Sequence, residues 1–149
     1  MKLDHRVSTS ASPAQVWELL GRPHRWPLFN PTLRRVHGAQ DRARTGQTLL
    51  GVARFTGMRI PIDVVEAIPE QRLEMHVHTA PGVQQRVVYE LAPSLRGGCS
   101  MRVRVVVEGL FARAAVGPLW LANGFNARLL VAQAERAARA ARKQGRGAA

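Results

Sequence analysis

Cysteine is nearly missing from this chain, and so is any long apolar run; each absence closes off a class of function. Cys99 is the only cysteine in 149 residues, which excludes an intramolecular disulfide and a thiolate metal cluster. It follows the hairpin turn Gly97-Gly98 and reads as an incidental thiol. No apolar stretch approaches the ~20 residues of a membrane-crossing helix, and Met1-Lys2-Leu3-Asp4-His5-Arg6 lacks the apolar centre of a secretion signal. A cytoplasmic location is the expectation. No serine stands in a G-x-S-x-G elbow, and Gly97-Gly98 joins strands instead of opening a helix, so neither a serine nucleophile nor a phosphate cradle is indicated.

Positive charge, by contrast, is abundant. The net charge is +12, a surplus that attracts polyanions whatever the fold. Its distribution argues otherwise. Apart from Lys2 and Lys143 the basic residues are arginines scattered along the chain, and the only dense run is Arg136, Arg139, Arg142, Lys143 and Arg146. Without an aromatic platform beside them, these charges read as solvated surface, and nucleic acid is not an expected partner. A weak contact of the basic C-terminal run with an anionic membrane is the secondary reading. The length and a hydrophobic content of 46% fit one domain over residues 1–144, with 145–149 fraying as a tail that has nothing to bury.

The strongest local pattern is Ser12-Pro13-Ala14-Gln15-Val16-Trp17-Glu18-Leu19-Leu20, followed by Trp26-Pro27-Leu28-Phe29-Asn30-Pro31. Ser12 suits an N-cap, Pro13 the first helical position, and Gln15 completes a capping box. Pro23, Pro27 and Pro31 then forbid a long helix, so Trp26 and Phe29 belong to a bent segment that lines or plugs a cavity mouth. Alternating runs predict strands at 2–9, 33–36, 47–55, 58–68, 72–79, 83–91 and 100–108, divided by turns at 38–46, Gly57, Pro69-Glu70, Pro81-Gly82 and Gly97-Gly98. Connections this short favour antiparallel neighbours. A helix is predicted from Pro118 to Arg142.

On a helical wheel, Leu119, Trp120, Ala127, Leu130, Val131 and Ala134 form one flank of that helix's apolar arc, and Leu121, Ala122, Phe125 and Leu129 the other. Asn123 and Asn126 lie between the flanks. Arg128, Glu135 and Gly124 fall on the opposite, wet face. Two amides at the centre of a solid core would cost about 1–3 kcal/mol each if unsatisfied. Either they line a partly wet pocket, or they bond locally to backbone or mark a break in the helix at Asn123-Gly124.

The sequence as a whole resembles the START/Bet v 1-like (SRPBCC) superfamily, and most closely its polyketide cyclase/dehydrase branch. The likeness rests on the capped helix, the Trp26-to-Pro31 elbow, Gly46-Gln47-Thr48, Glu66-Ala67-Ile68-Pro69-Glu70-Gln71-Arg72-Leu73, Tyr89-Glu90-Leu91 and the closing helix. It implies an α+β helix-grip fold: a curved antiparallel sheet of about six or seven strands around a long C-terminal helix, with an internal cavity. Fold alone does not fix chemistry here.

The expected lining of that cavity is Trp26, Phe29, Phe55, Met75, Tyr89, Leu119 and Leu130, with Asn123, Asn126 and Tyr89 orienting a ligand in a volume of roughly 300–1,000 Å³. Arg54 and Arg59 flank a hairpin whose inward side the sequence leaves open. His76 and His78 share a strand face opposite Leu73, Met75 and Val77, which points them outward; no third ligand stands at metal-binding spacing, so no metal and no cofactor are expected. His24 and His37 read as loop polarity. No catalytic residue is identified. The expected function is therefore that of a carrier or sensor for a hydrophobic small molecule, whether lipid, polyketide or aromatic compound, with monomer and homodimer both open. The alternative, implied by the resemblance, is an aromatase/cyclase-like enzyme that uses cavity polar groups such as Tyr89 for proton transfer.

Overall fold

The computed structural model describes residues 1–38 and 41–147. Strand β1 (Lys2–Thr9) leads into helix α1 (Pro13–Leu20) and a 3₁₀ segment, Pro23–Leu28; then come β2 (Leu33–His37), β3 (Thr48–Ala53), β4 (Arg59–Ile68), β5 (Arg72–Ala80), β6 (Val83–Pro93), β7 (Cys99–Glu108) and helix α2 (Ala112–Gly147). The strands form one antiparallel sheet of seven in the order β1-β7-β6-β5-β4-β3-β2. This is the curved sheet and long C-terminal helix of a helix-grip fold.

Local chemistry sets the element boundaries. The Ser12 hydroxyl accepts from the Gln15 backbone N–H at 3.2 Å, while the Gln15 side chain accepts from the Ser12 N–H at 2.8 Å, so two otherwise orphaned donors at the start of α1 are satisfied. At its other end Gly21 leaves room for the Trp17 ring, which a Cβ would meet at 2.4 Å. Gly98 has φ +88°, and a Cβ there would sit 2.1 Å from the Thr9 carbonyl, so the β6–β7 turn can close against the end of β1 only with glycine. Bulges in the pairing, at Leu33/Arg35, Val64/Glu66 and Val77/Ala80, bend the sheet.

Helix α2 differs from expectation at both ends. It begins at Ala112, a full turn and more before Pro118, because the alanine-rich stretch 112–116 is strongly helix-forming and Pro118 lies on the exposed side, where loss of one backbone bond is tolerated. It runs on through Gly147, over residues 145–147 where fraying was expected; residues 148–149 of that tail, and 39–40 of the turn expected at 38–46, lie outside the described residues. The side of α2 that faces the sheet carries Asn123, Asn126, Ala127, Leu130, Val131, Ala134 and Ala138. Leu121 and Phe125 from one flank of the expected arc, and Trp120 from the other, are exposed instead, because the buried arc is centred on Asn123 and Leu130 and is narrower than expected; Ala122 and Leu129 of the first flank keep their inward contacts. Nor is the opposite side simply wet. Gly124 lies against the His5 ring, and Glu135 accepts a hydrogen bond from the Thr9 hydroxyl at 2.8 Å.

Candidate functional site

Between α2, the 3₁₀ segment and strands β3 to β6 lies a cavity of about 230 Å³, smaller than the expected range. Its walls follow from strand alternation. Ile60 and Ile62 of β4, Met75, Val77 and Thr79 of β5, and Gln85, Val87 and Tyr89 of β6 all project from the concave side of the sheet. Trp26 and Phe29 enter from the bent segment, and Leu119, Ala122, Asn123 and Asn126 from α2. Trp26 is fixed by donating its indole N–H to the Leu20 carbonyl at 2.8 Å, so the elbow is anchored to the end of α1.

Trp26, Phe29, Met75, Tyr89, Leu119, Asn123 and Asn126 thus all stand in the cavity wall. Phe55 and Leu130 do not. Phe55 stands at the tip of the β3–β4 hairpin and is 88% exposed, because a ring on a two-strand turn has no wall to face. Leu130, fully buried, packs in the solid core about one turn along α2 beyond Asn126, where the cavity wall ends. Arg54 and Arg59 are exposed; Arg54 donates to the Pro31 carbonyl at 3.0 Å and stays outside the cavity.

Polar groups in the wall fall into three sets, the first being Asn30 and Thr32, which bond to each other, the Thr32 hydroxyl donating to the Asn30 side-chain carbonyl at 2.6 Å. Asn123 donates to the Gln85 side-chain carbonyl at 3.0 Å and to the Leu119 carbonyl at 2.8 Å, and Gln85 in turn donates to the Thr79 hydroxyl at 2.6 Å. Here the pocket and backbone readings of the Asn123 amide hold at once, since it bonds to backbone and lines the cavity, and α2 is unbroken there. The Tyr89 hydroxyl and the Asn126 amide form no hydrogen bond among the described residues, yet both residues line the void. A group in that position offers its bonding capacity to whatever enters. Burial pushes the Tyr89 phenol up to about 12, so at neutral pH it is a hydrogen-bond donor and not a base. No Asp, Glu, His, Cys, Lys or Arg is among the lining residues described.

Gln85 and Thr79 were missed from sequence, although the signal was present. Gln85 is two and four residues before Val87 and Tyr89, and Thr79 two and four after Val77 and Met75, so period-two alternation assigns both to the inner face.

The chain matches a family described as polyketide cyclase / dehydrase and lipid transport over residues 1–143. No curated protein matches it in sequence. Among solved structures, a protein from Mesorhizobium loti superposes with a TM-score of 0.75 at 17% identity, covering 91% of this chain and 98% of that one. The di-domain aromatase/cyclase StfQ of the steffimycin biosynthetic pathway gives 0.75 at 15% identity, covering 92% of this chain and 51% of that one. Ara h 8.0201 gives 0.63 at 9% identity over 87% of this chain and 97% of that one. At such identities the likeness is one of fold.

Proposed function

The chain belongs to the polyketide cyclase/dehydrase and lipid transport family, and on that premise we propose that residues 1–144 act as a single-domain carrier or sensor for a small hydrophobic molecule held in the cavity. One observation carries this reading: an apolar cavity whose unbonded polar groups, Tyr89 and Asn126, are both neutral at physiological pH. Such a lining orients a ligand through one or two hydrogen bonds and carries no Asp, Glu, His, Cys, Lys or Arg to take up a proton at neutral pH. Size narrows the class. About 230 Å³ exceeds the ~150 Å³ that accommodates benzene and falls below the ~300 Å³ of pockets for larger ligands. A one- or two-ring aromatic bearing a carbonyl or hydroxyl oxygen fits; an extended acyl chain is not fully enclosed.

The alternative is a cyclase. The family description names cyclases beside lipid transport, and the un-ionised Tyr89 phenol is suited to hydrogen-bonding a carbonyl oxygen as it gains negative charge. Displacement of a fluorescent apolar probe, run beside a cyclisation assay on a poly-β-keto mimic, separates the two. A carrier loses about tenfold in affinity, about 1.4 kcal/mol, in Tyr89→Phe or Asn126→Leu and turns nothing over. Turnover that falls about 10²-fold or more in Tyr89→Phe with binding intact makes the protein an enzyme.

A further inference from the structure

On the convex side of the sheet, behind the cavity wall, the fold assembles something the sequence keeps apart. His76 and His78 stand two residues apart on β5 and so share its outer face, and β4 runs antiparallel beside them with Asp63 directly opposite His76. One ligand atom from each of the three lies within 4.8 Å of the others. The His78 Nε2 is 3.4 Å from the Asp63 Oδ2, and the two imidazole rings are 4.6 Å apart between centroids.

We infer that Asp63, His76 and His78 form a binding site for a divalent transition-metal ion, with zinc the fitting choice. The donor set is two imidazole nitrogens and one carboxylate oxygen. Those donors favour zinc, copper or nickel over magnesium or calcium, which prefer all-oxygen shells. Tetrahedral zinc with bonds of about 2.0–2.2 Å places its donors about 3.3–3.5 Å apart. His78 and Asp63 already meet that spacing, and the half-buried His76 closes the remainder by rotating its side chain. The fourth position faces solvent and takes water.

Supporting contacts orient the carboxylate. Thr48, opposite Asp63 on β3, donates its hydroxyl to Oδ1 at 3.3 Å, leaving Oδ2 turned toward His78. The cation opposite His76 is drawn aside: Arg86 on β6 reaches toward Glu74, 3.9 Å away. Ile62, Met75 and Val77, the intervening residues of the same strands, point the other way and line the cavity. A metal at this site ties β4 to β5 from outside.

The test is a titration of the metal-stripped full-length protein with Zn²⁺ in competition with a chromophoric chelator, with heat denaturation alongside. The expected result is one Zn²⁺ per chain, undisturbed by excess Mg²⁺. His76→Ala and His78→Ala each weaken it about tenfold or more, Asp63→Asn less, and His24→Ala and His37→Ala leave it unchanged. Zn²⁺ at about 100 times its Kd raises the melting midpoint of the unmutated protein by about 5 °C or more, and that of the His76→Ala/His78→Ala double variant not at all. Independently of any variant, Zn²⁺ shifts the imidazole NMR signals of His76 and His78 alone among the histidines. Binding no tighter than that of an unfolded peptide containing His76-Val77-His78, or stoichiometric binding that persists in the double variant, overturns the assignment.

Discussion

The two halves of α2 face the same sheet and meet it differently. From Ala127 onward the helix presses Ala127, Leu130, Val131 and Ala134 into a core shared with β1, β6, β7 and α1, where Met101, Val103, Val105 and Val107 have essentially no exposure. From Leu119 to Asn126 the same helix stands over a void, and its inward residues include two amides. The contrast tells where stability resides and where selectivity can vary. Side chains in the packed half are worth their transfer free energy plus the cost of any hole they leave. In the hollow half that hole already exists, and polar groups can be retained for what they bind.

The contrast is sharpest for truncation. Leu130→Ala, in the packed half, is expected to lower unfolding free energy by about 2–5 kcal/mol in urea denaturation at 25 °C. A value under 1 kcal/mol would mean that this half is loose as well. Next come the amides. Asn123→Leu strands the Gln85 carbonyl and is expected to cost about 1–3 kcal/mol, whereas Asn126→Leu deletes an amide without a protein partner and is expected to be neutral or mildly stabilising. Equal losses would erase the distinction between wall and ligand-facing polar groups.

Filling the void provides the converse measurement. Ala122→Phe projects a ring into the cavity and is expected to shift stability by no more than about 1 kcal/mol in either direction, while weakening probe binding about tenfold or more. If it destabilises as much as Leu130→Ala, the hollow half is in truth filled. The smallest effect at neutral pH belongs to Tyr89, the only tyrosine in the chain. Its phenol ionises near 12 when folded and near 10 when not, so its contribution is intact below pH 10 and is lost as pH rises through 12. Tyrosinate absorbance should therefore stay flat through pH 10 and rise only near 12 or on unfolding. An ordinary titration at 10 would place the phenol in open water.

Much of this was legible in the residues. Ser12 and Gln15 announce a capping box through local chemistry, and the alternation of Met101, Val103, Val105 and Val107 announces a one-sided strand; both depend on neighbours in sequence. Tyr89, Asn123 and Asn126 were visible because polar groups on apolar faces call for an explanation. What stayed hidden depends on register and on distance along the chain. Nothing in the spacing of Asp63 and His76 says that thirteen residues and a turn bring them opposite each other, because pairing register is a property of two strands together. Phe55 misled for a related reason: hydrophobicity marks a residue for burial only if a neighbouring element covers it, and nothing covers a hairpin tip.

Cys99 closes the seam where three strands meet, pairing with Thr9 of β1 and Pro93 of β6, with no exposed surface and a thiol pushed up by burial. Such a sulfur is inert while the seam is shut and reacts once it opens. With no second thiol to compete, the rate at which a disulfide reagent consumes it is a clock for the opening of that seam. The molecule carries its own single-site recorder of local unfolding, readable without adding a label to the chain.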